Sequence, residues 1–160
     1  MTLLHIGIDP GATGAIAAVT DTGELVDVDD MPVVDGHVQP ALLAQTLKNW
    51  ANWHAPIVQV AVEKVGAMPK QGVSSTYKFG EATGVALGVV GALNLAVCRP
   101  LPSVWKRNLG VPAGADKDAT RRLIVERFPQ SAEWFARKKD HGRADAVGLA
   151  LHSLNLRGER

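Results

Sequence analysis

The chain has a single cysteine, Cys98, so an internal disulfide is impossible and a cysteine-based zinc site has no support. It lacks any apolar run long enough to cross a bilayer. Its opening residues, MTLLHIGIDPG, lack a basic segment followed by an apolar stretch, and Asp9 arrives where a secretory leader would need to continue. These absences make the cytoplasm the expected location, with no membrane partner. Internal repeats, low-complexity segments and interdomain linkers are also missing, so 160 residues are expected to form one domain, 1–160, with room for a substantial core. Positive charge is scarce in the first third: from Met1 to Pro56 the acids Asp9, Asp21, Glu24, Asp27, Asp29, Asp30 and Asp35 face only Lys48. From Arg99 to Arg143 the balance reverses, through Lys106, Arg107, Lys117, Arg121, Arg122, Arg127, Arg137, Lys138, Lys139 and Arg143. That asymmetry points to a polyanion-binding side in the second half, the alternative being a solvated helical surface.

What is present is organised around LLHIGIDPGATG, Leu3 to Gly14. Leu4, Ile6 and Ile8 alternate with Leu3, His5, Gly7 and Asp9, so an extended strand turns one row into the core and carries Asp9 on the other face. Pro10 and Gly11 suit the central positions of a type II turn. Asp9 by itself fits either a turn residue or a functional carboxylate. Ala15 to Val19 and the stretch through Leu25, Val26 and Val28, joined by Asp21-Thr22-Gly23, complete an antiparallel meander.

Asp30 to Pro40 reads as a loop, followed by a helix with Leu43, Leu47 and Trp50 on one face and Trp53 continuing it. The tryptophans fit core anchors better than base-stacking platforms. Ile57 to Glu63 repeats the first strand's logic: Val58, Val60 and Val62 form one row, Gln59, Ala61 and Glu63 the other. A right-handed crossover would lay this strand parallel to the first and bring Asp9 and Glu63 together at the sheet's carboxyl end. After a loop from Gly66, Ser74-Ser75 is expected to cap a helix from Thr76 to about Leu93. Gly80, Gly84 and Gly88 stripe it at intervals of four, which implies close approach of the sheet or of another subunit. Leu95 to Cys98 is a last short strand. A short helix, SVWKRNLG, is capped by Ser103 and stopped by Gly110. Asp116 and Asp118 suit the start of the next helix, closed by Pro129, and a basic approach from Arg137 to Arg143 leads into a final helix with Asp145 in its first turns.

The carboxylates that stand out lie at ends of elements: Asp9 and Glu63 end strands, and Asp145 begins the last helix beside Asp140-His141. Converging carboxylates repel and raise one another's pKa, so they need a compensating cation. An oxygen-only cluster suits Mg²⁺ or Mn²⁺, and two such ions about 4 Å apart can activate water and stabilise the leaving oxygen of a phosphodiester.

IGIDPGATGAIA around Asp9, VAVEKVGAMPKQGVSSTYKFG around Glu63, PSVWKRNLGVPAGADKDATRRL, and KKDHGRADAVGLAL around Asp145 together resemble the RuvC-like Holliday junction resolvases, particularly their short bacteriophage branch. The resemblance spans nearly the whole chain. DPGATG alone also resembles the first phosphate loop of actin-like sugar kinases, but those need a second such domain to enclose ATP. The resemblance implies a ribonuclease-H-like α/β fold: a five-stranded mixed sheet, three antiparallel then two parallel strands, flanked by helices. It also implies a homodimer, in a bacterial cell or phage-infected host, that makes metal-dependent paired nicks in four-way DNA junctions. Asp9, Glu63 and Asp145 match the family's metal-binding acids. The fourth position, three residues before the last acid in some members, is Gly142 here, and His141 and Asp140 are the candidates to replace it. Lys106 and Lys117 match basic positions near the cleaved phosphate, and Arg107, Lys70 and Arg143 are further candidate DNA contacts. An aromatic wedge three residues after the glutamate in some members is replaced by Gly66, with Met68, Tyr77 and Phe79 as substitutes. Gly7 and Gly11 are expected to keep backbone bulk away from metals and phosphate. A broader branched-DNA nuclease and a junction-binding module without catalysis are the alternatives.

Overall fold

A computed structural model describes residues 1–66, 70 and 72–158 of the chain. The meander forms as β1 (Leu4–Asp9), β2 (Ala15–Thr20) and β3 (Leu25–Asp30). A small hairpin, β4 (Val33–Val34) and β5 (His37–Val38), precedes α1 (Pro40–Trp53). The chain continues through β6 (Ile57–Val62), α2 (Val73–Ala92) and β7 (Val97–Cys98). It ends through α3 (Pro102–Leu109), α4 (Ala119–Arg127), 3₁₀ turns over Pro129–Phe135 and Lys138–Asp140, and α5 (His141–Gly158).

The main sheet has the order β3-β2-β1-β6-β7. β1 pairs antiparallel with β2 and parallel with β6, and β2 with β3 is antiparallel, so the expected mixed five-stranded sheet is the one formed. The alternation in β1 sorts its two faces. Leu4, Ile6 and Ile8 join Ile16, Val60, Val62, Leu43, Leu47, Trp50, Ala86 and Val90 in a core under α1 and α2. The opposite face carries α5, whose Ala144, Ala146, Val147 and Ala150 pack with Ala15, Ala17 and Val19 of β2. α3 closes the β6 side of that face, where Ala61, Trp105 and Leu149 form a third cluster.

At Gly7 the backbone of α5 lies close against β1. A Cβ there would overlap the backbone of Ala146 and Ala150 and lie 2.9 Å from Leu149 Cβ. Its glycine therefore serves strand-to-helix contact, and the expectation that it keeps bulk away from the metals is corrected accordingly. The turn after Asp9 also differs. Gly11 is not among the glycines with positive φ, which a type II turn requires, and the turn bond instead runs from Gly14 N–H to Gly11 O at 3.0 Å.

Further expectations change. The loop before α1 contains the β4–β5 hairpin, closed by Asp35-Gly36, both with positive φ as a type I′ turn demands. Helix α2 starts one turn early on Gly72, and α3 starts at Pro102 after Leu101, so neither Ser74-Ser75 nor Ser103 is the cap. Trp50 is buried as expected, whereas Trp53 is 69% exposed and anchors nothing in the core. Gly80, Gly84 and Gly88 are exposed, with nothing within 4 Å of where a Cβ would stand, so the stripe faces away from the sheet. Gly110, with φ of 91°, ends α3 as expected.

Candidate active site at the carboxyl end of the central strands

The β1–β6 register pairs Ile8 with Val62, so the next residue on each strand is Asp9 and Glu63. Glu63 N–H extends the ladder by one bond, to Ile8 O at 3.2 Å. Both side chains lie on the face that α5 covers, and Asp145 enters from that helix. Each of the three carboxyls is raised above its ordinary pKa. Burial drives Asp9 up to about 8, with repulsion from Asp145 and Glu63 adding to it and Lys106 opposing. Asp145 rises to about 6, again through burial, with Lys106 lowering it, Glu63 raising it, and His141 and a Thr120 hydrogen bond lowering it. Glu63 is raised by burial against the pull of its Trp105 hydrogen bond and of Lys106. Lys106 is thus the cation shared by all three acids.

The two candidates for the fourth position part company. Asp140 is buried and fully engaged: Arg137 donates through Nη2 at 2.7 Å, through Nε at 3.0 Å, and through its backbone N–H at 2.9 Å. Burial would raise its carboxyl, but these bonds hold it below the usual range. His141 is exposed, one helical turn before Asp145 on the same face, and its charge acts on Asp145. Gly142 faces the site: a Cβ there would lie 3.3 Å from Asp9 Oδ2 and only 2.7 Å from Thr13 O. The Thr13-Gly14 backbone occupies the ground a side chain at 142 would need.

The basic candidates also separate. Lys106 and Arg107 line a cleft of about 430 Å³ with Ser103, Val111 to Asp116 and Thr120. Lys117 is exposed in the loop bordering that cleft. Lys70 is exposed in the loop after β6, with φ of 67°. Arg143 is tied down: it grips Asp30 with two bonds of 2.7 and 3.0 Å and donates to Trp134 O at 3.2 Å. A cleft of about 380 Å³ beside Asp9 is lined by the Gly11–Gly14 turn, Ser75, Lys78 and Phe79. Phe79 lies 3.5 Å from where a Gly11 Cβ would be, Tyr77 is 69% exposed, and Met68 falls outside the described residues.

Residues the sequence reading passed over include Trp105, which donates its indole N–H to Glu63 Oε1 at 2.8 Å, and Thr120, the hydroxyl partner of Asp145. A tryptophan beside the basic residue of a matched motif was the available signal for the first, because a buried indole N–H requires an acceptor. Thr120 carried no comparable signal.

Among the described residues, no three His, Cys, Asp or Glu side chains form a group already arranged to hold a metal ion. The chemistry of the donors nevertheless fits a hard divalent cation: oxygen ligands only, recessed and mutually repelling, with one lysine to offset them.

Comparison with models of known protein families finds no match. Among curated proteins, the chain is 30% identical over 158 residues to the crossover junction endodeoxyribonuclease RuvC of Nitratidesulfovibrio vulgaris, covering 95% of this chain and 90% of that protein. The chain belongs to the RuvC family. RuvC of Paenarthrobacter aurescens is 29% identical over 159 residues, 94% of this chain and 80% of its own length. Among solved structures, Thermus thermophilus RuvC superposes with a TM-score of 0.64 at 20% identity, covering 99% of this chain and 97% of that one. The same protein in complex with a Holliday junction substrate gives 0.62 at 18% identity, covering 99% and 96%. At those identities the structural likeness speaks to the fold alone. Among the described residues, no helix is long and apolar enough to cross a membrane.

Proposed function

We propose that this RuvC-family protein is a metal-dependent endonuclease that resolves four-way DNA junctions by paired nicks. The observation that carries this reading is the in-register ending of β1 and β6 in Asp9 and Glu63, with Asp145 brought to them by α5. The names of the RuvC relatives, and the Thermus thermophilus RuvC complex with a Holliday junction substrate, support the choice of substrate. The resemblance of its four motifs to the bacteriophage-type branch supports a bacterial or phage-infected cell as its setting.

Asp9, Glu63 and Asp145, with His141 as the favoured fourth group, would hold Mg²⁺ or Mn²⁺, two ions per site. When bound, these supply the positive charge that lowers the pKa of a water and offsets the leaving oxygen. The chain's own groups do the rest. Lys106, already set among the acids, meets the phosphate as its negative charge develops. His141, solvent-facing and near Asp145, is placed to take a proton from the attacking water if it does not bind metal. Water adds to phosphorus, the bond to the 3′ oxygen breaks, and a 5′-phosphate and a 3′-hydroxyl result. Arg107 and Lys117, around the cleft next to Lys106, hold the strand's flanking phosphates, with Lys70 on the opposite loop. Asp140 and Arg143 serve the scaffold through their mutual neighbours Arg137 and Asp30.

Paired nicks require two sites, and the outer face of α2 suits a second copy of the chain. Gly80, Gly84 and Gly88 leave it smooth, with Tyr77 and Val73 exposed beside them. Light scattering should give a dimer, and Gly84→Arg should shift it to monomer. A broader debranching nuclease is the second reading, favoured by Gly66 at the wedge position, where an added Cβ would meet nothing within 4 Å among the described residues. Cleavage of flaps, forks and four-way junctions at equal salt separates the two, because phosphate affinity changes steeply with salt. A junction that is bound but left intact in both metals would favour the non-catalytic module.

A further inference from the structure

We propose that Trp105 is a positioning residue for the acidic site, setting the orientation of Glu63 and the place of Lys106 with one side chain. Trp105 is fully buried on α3 and its indole N–H lies 2.8 Å from Glu63 Oε1. A carboxylate at the open end of a strand has two rotatable oxygens and, without a fixed donor, swings between rotamers. The N–H captures one oxygen in a charge-assisted bond and leaves Oε2 available to the acidic site. The face of the same ring lies under the Lys106 ammonium, 5.2 Å from the centroid, which is within cation–π range.

The ring is itself held from behind. A Cβ at Gly148 would lie 2.6 Å from Trp105 Cζ3 and 3.1 Å from Leu109 Cδ2, so α3 sits against α5 by virtue of that glycine. Trp105 therefore ties the β6 carboxylate, the shared lysine and the helix bearing Asp145 into one rigid unit. Partners of this outer kind typically change activity by about 10- to 100-fold when removed.

The effect on cleavage rests on the nuclease reading, whereas the hydrogen bond does not, so the test has two arms. In ¹H–¹⁵N spectra of the full chain, the Trp105 indole resonance is assigned in the wild type by its through-space contacts to Ala61 and Leu149. It should be shifted downfield and exchange slowly in the wild type, and in Glu63→Ala should move upfield and exchange at least about tenfold faster. An indole resonance indifferent to Glu63→Ala overturns the proposal, even if Trp105→Phe does not fold. In single-turnover cleavage of a four-way junction, folded Trp105→Phe should be slowed by about 10- to 100-fold with junction affinity within about twofold of wild type. A rate equal to wild type, or a loss of rate matched by an equal loss of affinity, overturns it. A wild type that binds but does not cleave would remove the nuclease reading and leave the indole arm to decide the bond.

Discussion

Raising the pH in the presence of a chelator should weaken this protein, and Asp9→Asn should remove most of that weakness. Asp9 has its pKa raised from the ordinary 3.8 to about 8, chiefly by burial and then by Asp145 and Glu63. A carboxyl raised in the folded state favours folding while it is protonated in both states. Above the unfolded value the unfolded chain releases its proton first, so stability falls with pH until the folded value is passed. At about 1.4 kcal/mol per pH unit, the loss from Asp9 between about pH 5 and pH 8 has a ceiling near 4 kcal/mol. Partial exposure and water entry bring the expected loss to about 2 kcal/mol. Asp145, raised to about 6, contributes in the lower part of the same interval. The assay is urea unfolding with EDTA at several pH values, wild type beside Asp9→Asn. The variant should be the more stable near pH 8 and should lose most of its advantage near pH 4. Parallel curves, or a wild type that gains stability as pH rises, would refute the account of the site's electrostatics.

Adding Mg²⁺ or Mn²⁺ near pH 8 should stabilise the wild type by about 2.7 kcal/mol at a hundredfold excess over the dissociation constant, read as a rise in Tm, and should do little for Asp9→Asn. His141→Ala should lower the cleavage rate while leaving urea unfolding nearly unchanged. Asp140→Ala should do the reverse, lowering stability in urea because the Arg137 backbone N–H and guanidinium lose their acceptor. Gly7→Ala should cost at least about 1–3 kcal/mol in urea unfolding, since its Cβ meets the backbone of Ala146 and Ala150, and a neutral outcome would contradict the packing of α5 on β1.

The fold was legible because period-two patterns and acids at strand ends agree. β1 and β6 alternate cleanly, and only a parallel pairing brings Asp9 and Glu63 to the same end. What escaped was set by tertiary contact. Gly7 looked like room for a ligand, but its neighbour is α5, which lies far along the chain. Trp105 was passed over within SVWKRNLG; it is fully buried, and its polar edge reaches an acid on another element. Asp140 and His141 are adjacent in sequence and were equivalent there. Only the 3₁₀ turn at Lys138–Asp140 sends one carboxylate to Arg137 and leaves the imidazole beside Asp145. The β4–β5 hairpin had a readable signal, Asp35-Gly36 between short apolar pairs, hidden by the prolines that flank it.

The central claim is that Asp9, Glu63 and Asp145 form one hydrolytic site for branched DNA. Its most direct test is to incubate a synthetic four-way junction with the wild type and with Asp9→Asn, in Mg²⁺ and in Mn²⁺, measuring binding and cleavage in the same samples. Symmetric nicks with 5′-phosphates from the wild type, and binding without nicks from Asp9→Asn, are the predicted result. Equal cleavage by both proteins, or an intact junction with the wild type in either metal across the pH range, would contradict it.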